Sequence, residues 1–167
     1  MDVKKLMDLT TKQTEQVHQL WNAEFPSGLA HNDISAFQAF LAPLGNKTHY
    51  LLLDKTVILG WALTFDRDSE RWFSILVNNK QHKKGLGKHL IETIKADNRS
   101  LNGWAVDHGN DIKSDGSQYP SPIGFYQKLG FDILSDVRLE KPGLSCVKIR
   151  WDNQQSPLTF WYSNTYN

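Results

Sequence analysis

Cysteine is nearly absent: Cys146 is the single thiol in 167 residues. That excludes a disulfide framework and a thiolate-rich metal site. Long apolar runs are missing too. No stretch reaches the ~20 residues that a membrane-crossing helix needs, and the opening "MDVKKLMDLT" lacks the apolar segment of a secretory leader. Neither charge sign dominates. The 19 Lys and Arg against 18 Asp and Glu leave a formal charge of +1, so the global balance does not point to nucleic acid or an anionic membrane. No internal repeat, low-complexity tract or linker divides the chain. What is present, 40% hydrophobic and 22% charged residues, suits a soluble domain large enough to bury a core. The expectation is one domain over residues 1–167, cytoplasmic, with no nucleic-acid or membrane partner.

The pattern along the chain is mixed. Residues 10–24 read as a helix, with Thr10 or Thr11 at its start and Val17, Leu20 and Trp21 on one face. A second helix follows "ND", where Ser35 and Gln38 have capping-box spacing, and stops at Pro43 and Gly45. Then the period changes. "THYLLL" and "VILGWALTF" form a hairpin through "DKT", and "RWFSILV" is the next strand after the turn "DRDSE". A helix from Gly87 to about Lys95 buries Leu86, Leu90, Ile91 and Ile94, and "NGWAV" is again a strand. In "SPIGFYQKLGF", Ser121 reads as the cap, Pro122 as the first helical residue and Gly130 as a left-handed stop. Strands near 131–138 and 144–151 turn at Pro142-Gly143, and an aromatic tail over 152–167 carries Phe160, Trp161, Tyr162 and Tyr166. This order excludes a purely alternating, doubly wound sheet.

The chemistry concentrates at "NNKQHKKGLGKHLIETIK". A Walker loop fails here, because His82 takes its first glycine position and His89 its Ser/Thr position. A dinucleotide fingerprint fails because Leu90 takes its third glycine. What stays is strand, basic turn, G-x-G and helix. Gly85 and Gly87 allow successive N–H groups to point outward at the positive end of a helix, with Lys80, Lys83, Lys84 and Lys88 adding attraction for an anion. A tight strand-to-helix turn with a solvated basic face is the other reading, and the G-x-G does not choose between them. In "IGFYQKLGF", Phe125 and Leu129 are four apart and expected to face the core, leaving Tyr126 at the edge with its hydroxyl toward a cleft.

Together these features resemble the GNAT superfamily of acyl-CoA-dependent N-acyltransferases. Val77, Gly85 and Gly87 match its V-x-x-x-x-(Q/R)-x-x-G-x-(G/A) motif in register, with His82 in the Gln/Arg position and Gln81 one place early. Phe125, Tyr126, Gly130 and Phe131 match its F-Y-x-x-x-G-F motif completely. The resemblance implies an α/β (α+β) fold with a mixed central sheet of six to seven strands flanked by about four helices. It implies acetyl-CoA as co-substrate, with Ile75 and Val77 bonding the pantetheine arm. Backbone N–H groups from Lys83 through Lys84, Gly85, Leu86 and Gly87 to Lys88 would hold the pyrophosphate, and Asn110 would lie near the cofactor. An amine attacks the thioester directly, a main-chain N–H near Leu76 polarises the carbonyl, and Tyr126 is the general acid for the departing thiolate. A phenol's ordinary pKa of about 10 keeps Tyr126 protonated at neutral pH.

The base stays open among His108, Asp107 and Glu70, with a water chain able to replace any of them. Glu70 falls on the face opposite Arg71, Phe73, Ile75 and Val77 unless a β-bulge reverses it. About ten extra residues, "DIKSDGSQYP", precede the second motif. They read either as a wall of the acceptor site, through Tyr119, or as a surface excursion. The acceptor pocket is expected to draw on "EFPSGLAHND", these extra residues and the last hairpin, the least family-like parts of the chain. "DRDSE" lacks the glycine and distal glutamate of a calcium loop, and His18, His31 and His49 have no ligand spacing, so no metal is expected. Three functions follow: acetylation of a small-molecule or peptide amine, transfer of a larger acyl group, or non-catalytic acyl-CoA binding. The protein is expected to be a monomer or homodimer.

Overall fold

Thr10 starts the first helix. Its hydroxyl accepts from the Gln13 N–H at 3.2 Å while Gln13 Oε1 accepts from the Thr10 N–H at 2.9 Å, closing a reciprocal cap. In the computed structural model, which describes residues 2–82 and 84–153, this helix α1 spans Thr11–Glu24. The second helix, α2, spans Ile34–Leu41 and is capped by Asp33, not Ser35: Asp33 Oδ1 accepts from the Ala36 N–H at 2.8 Å. A carboxylate at a helix N-terminus satisfies a free N–H and opposes the positive end of the dipole, which a serine inside the first turn does not do.

Seven strands form one sheet: β1 (Val3–Leu6), β2 (Gly45–Asp54), β3 (Val57–Arg67), β4 (Glu70–Val77), β5 (Ser100–Val106), β6 (Asp132–Lys141) and β7 (Leu144–Asp152). The order is β1-β2-β3-β4-β5-β7-β6, and every pairing is antiparallel except β4 with β5. β1 went unread in the sequence because "VKKL" places two exposed lysines between its apolar ends. Lysines of this kind suit a sheet edge, where they discourage pairing with another chain. "DRDSE" is a tight hairpin turn, with Asp68 and Ser69 both left-handed at φ 52° and 62°.

Helix α3 (Leu86–Asp97) crosses from β4 to β5. Helix α4 (Ile123–Lys128) precedes β6. Period-2 alternation divides the apolar residues between two cores. Leu51, Leu63, Trp72 and Leu76 pack with Val17, Trp21 and Phe37 on the α1–α2 face. Leu52, Ala62 and Phe73 pack with Leu90, Ile94, Tyr126 and Phe131 on the opposite face. The α4 cap differs from expectation. Pro122 occupies the cap position, and the Ser121 hydroxyl donates to the Val106 carbonyl at 2.7 Å, tying the loop to the end of β5. The C-terminal end matches expectation. Gly130 is left-handed at φ 85°, its N–H donates to Gln127 O, and the Phe131 N–H donates to Tyr126 O, a Schellman closure. Among the described residues no helix is long and apolar enough to cross a membrane. Residues 154–167 of the aromatic tail lie outside the described residues.

Candidate active site

The β3–β4 ladder runs without a register shift from Gly60↔Val77 to Arg67↔Glu70, so no bulge reverses Glu70. Between β4 and β5 only Trp72↔Asn102 are paired. Past Trp72 the two parallel strands part, and the last residues of β4 keep a neighbour on one side alone. The Asn78 N–H donates to Leu59 O at 2.9 Å. Strict alternation then turns the main chain of Leu76 toward Trp61, and that of Ile75 and Val77 toward the gap. The N–H donors near Leu76 that face the gap are therefore those of its two neighbours.

A cleft of about 500 Å³ opens at this parting. One wall is the end of β4 with the turn into α3, and Gly85, Leu86, Gly87 and Lys88 line it. Gly85 caps α3 in the left-handed region at φ 76°, offers no side-chain bond, and has no heavy atom within 4 Å of where a Cβ would be. Among the described residues no side chain caps the first turn of α3, which borders the open cleft. An anionic diphosphate fits such a cradle. His82 acts on the turn itself. Its ring Nε2–H donates to the Val77 carbonyl at 2.9 Å, so the imidazole closes the loop from the Gln/Arg position of the motif. Gln81, one place earlier, accepts from Lys84 Nζ at 3.1 Å. Lys83 lies outside the described residues.

Helix α4 presents its residues the other way round from the sequence reading. Phe125 is 38% exposed and lines the cleft, where its ring meets Gly87 closely enough that a Cβ there would come within 3.2 Å. Tyr126 is 7% exposed and packs edge-on between Phe73 at 5.8 Å and Phe131 at 5.3 Å. Six residues are too few for amphipathic spacing to fix which way a helix turns. The Ser121 tether and the Gly130 closure at its two ends set the orientation instead. Burial, and secondarily the nearby Tyr119 phenol, push the Tyr126 hydroxyl well above the ordinary phenol range. Tyr119 itself lines the cleft and is pushed up to about 12, mainly by burial.

The other nominated residues stand elsewhere. Glu70 begins β4, at the far end from Val77, and accepts from Lys148 Nζ at 2.9 Å and Arg150 Nη1 at 3.0 Å. Asp107, His108 and Asn110 border a second, shallower depression beside the tip of the β6–β7 hairpin. There Arg138 grips Asp107 through two bonds, of 2.8 and 3.0 Å, and holds its carboxyl below the usual range. His108 Nδ1 accepts from the Asn110 N–H at 3.1 Å.

Two charged residues that the sequence reading did not single out, though they fall in segments it expected at the acceptor pocket, line the cleft. Glu24, the last residue of α1, and Lys113, in the extra segment, are 7% and 8% exposed and pair at 3.4 Å. Glu24 Oε2 also accepts from the Asn79 N–H at 2.7 Å, so the same carboxylate steadies the turn that leads into the cradle. A signal for Glu24 existed, since it continues the buried spacing Val17, Leu20/Trp21, Glu24. Lys113 had none. The extra segment forms a small paired excursion, with Ile112 bridged to Gln118, and docks on α1 through Ser114 Oγ to Asn22 O at 2.7 Å and on the turn after α1 through Ser27 N–H to Ile112 O at 2.8 Å. It is a wall of the cleft rather than a surface excursion.

This geometry has relatives. The family model described as "Acetyltransferase (GNAT) domain" matches residues 45–133, more than half of the chain. The protein belongs to the GNAT acetyltransferase family and is an acyltransferase. Solved structures agree on the fold. An aminoglycoside 6'-N-acetyltransferase complexed with coenzyme A superposes with a TM-score of 0.72 at 13% identity, over 94% of this chain and 99% of that one. The aminoglycoside 6'-N-acetyltransferase from Enterococcus faecium gives 0.67 at 13% identity, over 94% and 99%. An acyl-CoA N-acyltransferase from Pseudomonas aeruginosa gives 0.64 at 15% identity, over 89% and 97%. A search of curated protein sequences found no match.

Proposed function

We propose that the protein transfers the acetyl group of acetyl-CoA to a primary amine by direct attack. The observation that carries this reading is the parting of β4 from β5 at the uncapped N-terminus of α3. Acetyl-CoA supplies the activated acyl thioester. The N–H groups of Leu86, Gly87 and Lys88 hold its diphosphate, with the α3 dipole and the ammonium groups of Lys84 and Lys88 adding attraction. Ile75 and Val77 offer gap-facing main-chain groups to the pantetheine arm, and one of their N–H groups stabilises the oxyanion. Phe125 covers the cradle and excludes water from it. The Tyr126 hydroxyl, behind the lining and beside the cleft-lining Tyr119, holds the proton for the leaving sulfur, and its elevated pKa keeps it protonated across the physiological range. His108, Asp107 and Glu70 do not border the cleft, so the amine's proton leaves through water along the cleft mouth.

Incubation with acetyl-CoA and a panel of primary amines, read by mass spectrometry of the acetylated product, tests the reading. Product detection avoids interference from Cys146 in thiol assays. CoA binding measured by calorimetry without product from any amine would overturn acetyl transfer and leave a binding module.

A further inference from the structure

The acceptor half of the cleft carries an ion pair where a transferase needs only a binding surface. Among the described residues that line the cleft, Glu24 is the single carboxylate. Its two oxygens accept from Lys113 Nζ and the Asn79 N–H. The Lys113 ammonium has three donors and gives one of them, to Glu24, among the described residues. Lys88, the other lysine on the lining, belongs to the turn at the diphosphate end. Gln81 and His82 belong to the same turn and the Ser121 hydroxyl is committed to the Val106 carbonyl, so the rest of the wall is mainly apolar: Phe25, Leu76, Phe125 and the ring of Tyr119.

Charge accounting around this buried ion pair selects the guest. A monocation drawn to Glu24 would leave Lys113 buried without its partner. A polycation would bring further charges with no carboxylate to meet them. A zwitterion is different. Its ammonium can face Glu24 and its carboxylate Lys113, so four charges compensate pairwise and no net charge is buried. We infer that Glu24 and Lys113 form a zwitterion-reading site, and that the acceptor is an α-amino acid with an apolar or aromatic side chain seated against Phe25 and Phe125. Lys113 rides on the excursion that Ser27 N–H to Ile112 O and Ser114 Oγ to Asn22 O hold beside the C-terminal end of α1. The inference rests on the acetyl-transfer reading for its meaning, but the site itself is a binding claim.

The test is calorimetry on the full chain loaded with CoA, titrated with L-phenylalanine, phenethylamine and kanamycin. Acetylation of the same three is then read by mass spectrometry. L-Phenylalanine is expected to bind about tenfold or more tighter than phenethylamine, as one good charge pair permits, with kanamycin weaker still. Lys113→Met should bring the first two together. If that variant does not fold, the double variant Glu24→Gln/Lys113→Met, which buries no lone charge, carries the same comparison. Equal or tighter binding of phenethylamine or kanamycin, no binding of L-phenylalanine, or a preference that survives loss of Lys113 overturns the site. Selective L-phenylalanine binding with no acetylated product supports the site and overturns the transfer reading. Product from all three amines without preference does the reverse.

Discussion

The two walls of the cleft are built on different principles. The wall formed by β4 and α3 is a main-chain surface: Ile75, Val77 and the first turn of α3 present N–H and C=O groups, and all lie between Ile75 and Lys88. The opposite wall is a side-chain surface, in which Glu24 meets Lys113 across 89 positions of sequence. A local main-chain site needs glycine at particular steps and little else, so it reads as a motif. A site made of distant side chains leaves no motif. It can change its guest without disturbing the first wall.

Breaking the ion pair is the largest perturbation of this contrast. Glu24→Gln strands the buried Lys113 ammonium and should cost about 3 kcal/mol in chemical denaturation, the low end for a broken buried pair because the cleft lets water in. Adding Lys113→Met should restore most of that loss. The α1–α2 face beneath the acceptor wall has its own pH dependence. His49, buried and accepting from Trp61 Nε1 at 3.1 Å, has its pKa lowered to about 4, mainly by burial. The unfolded chain binds this proton at about pH 6.5 and the native state does not. Stability is therefore full above pH 6.5 and falls between pH 6.5 and about 4, by about 3 kcal/mol in total. In His49→Gln that slope should vanish from denaturation curves recorded across the window.

The main-chain wall predicts losses of another kind. Tyr126→Phe should lower kcat about a hundredfold with CoA affinity unchanged, whereas Tyr119→Phe should leave kcat within about threefold. The opposite ranking would transfer the acid role to the cleft-lining Tyr119. Smallest is Gly85→Val. A β-branched residue at φ 76° is strained by about 1–2 kcal/mol, and the relieving backbone shift should weaken CoA binding about tenfold in calorimetry while leaving the amino acid preference intact.

The fold was legible where local pattern and burial agree. The hairpin of β2 and β3, the α3 spacing of Leu90, Ile91 and Ile94, and the Gly130 closure follow from periodicity and one left-handed glycine. The β1 edge was hidden by its lysines. Asp33 rather than Ser35 caps α2 because the position next to the first helical residue decides, not the spacing of a box.

By itself, the sequence determined where the main-chain half of the candidate site lies. Val77, Gly85 and Gly87 encode where N–H groups stand free, because backbone direction is a local property. His82 shows the boundary of that knowledge: its place was known, and only folding brought its ring back to the Val77 carbonyl. Which aromatic of α4 meets the cleft, where Asp107 and His108 point, and the meeting of Glu24 with Lys113 were decided by tertiary structure. The physical reason is that side-chain orientation in short helices and loops depends on contacts between segments far apart in the chain, and no local period records those contacts.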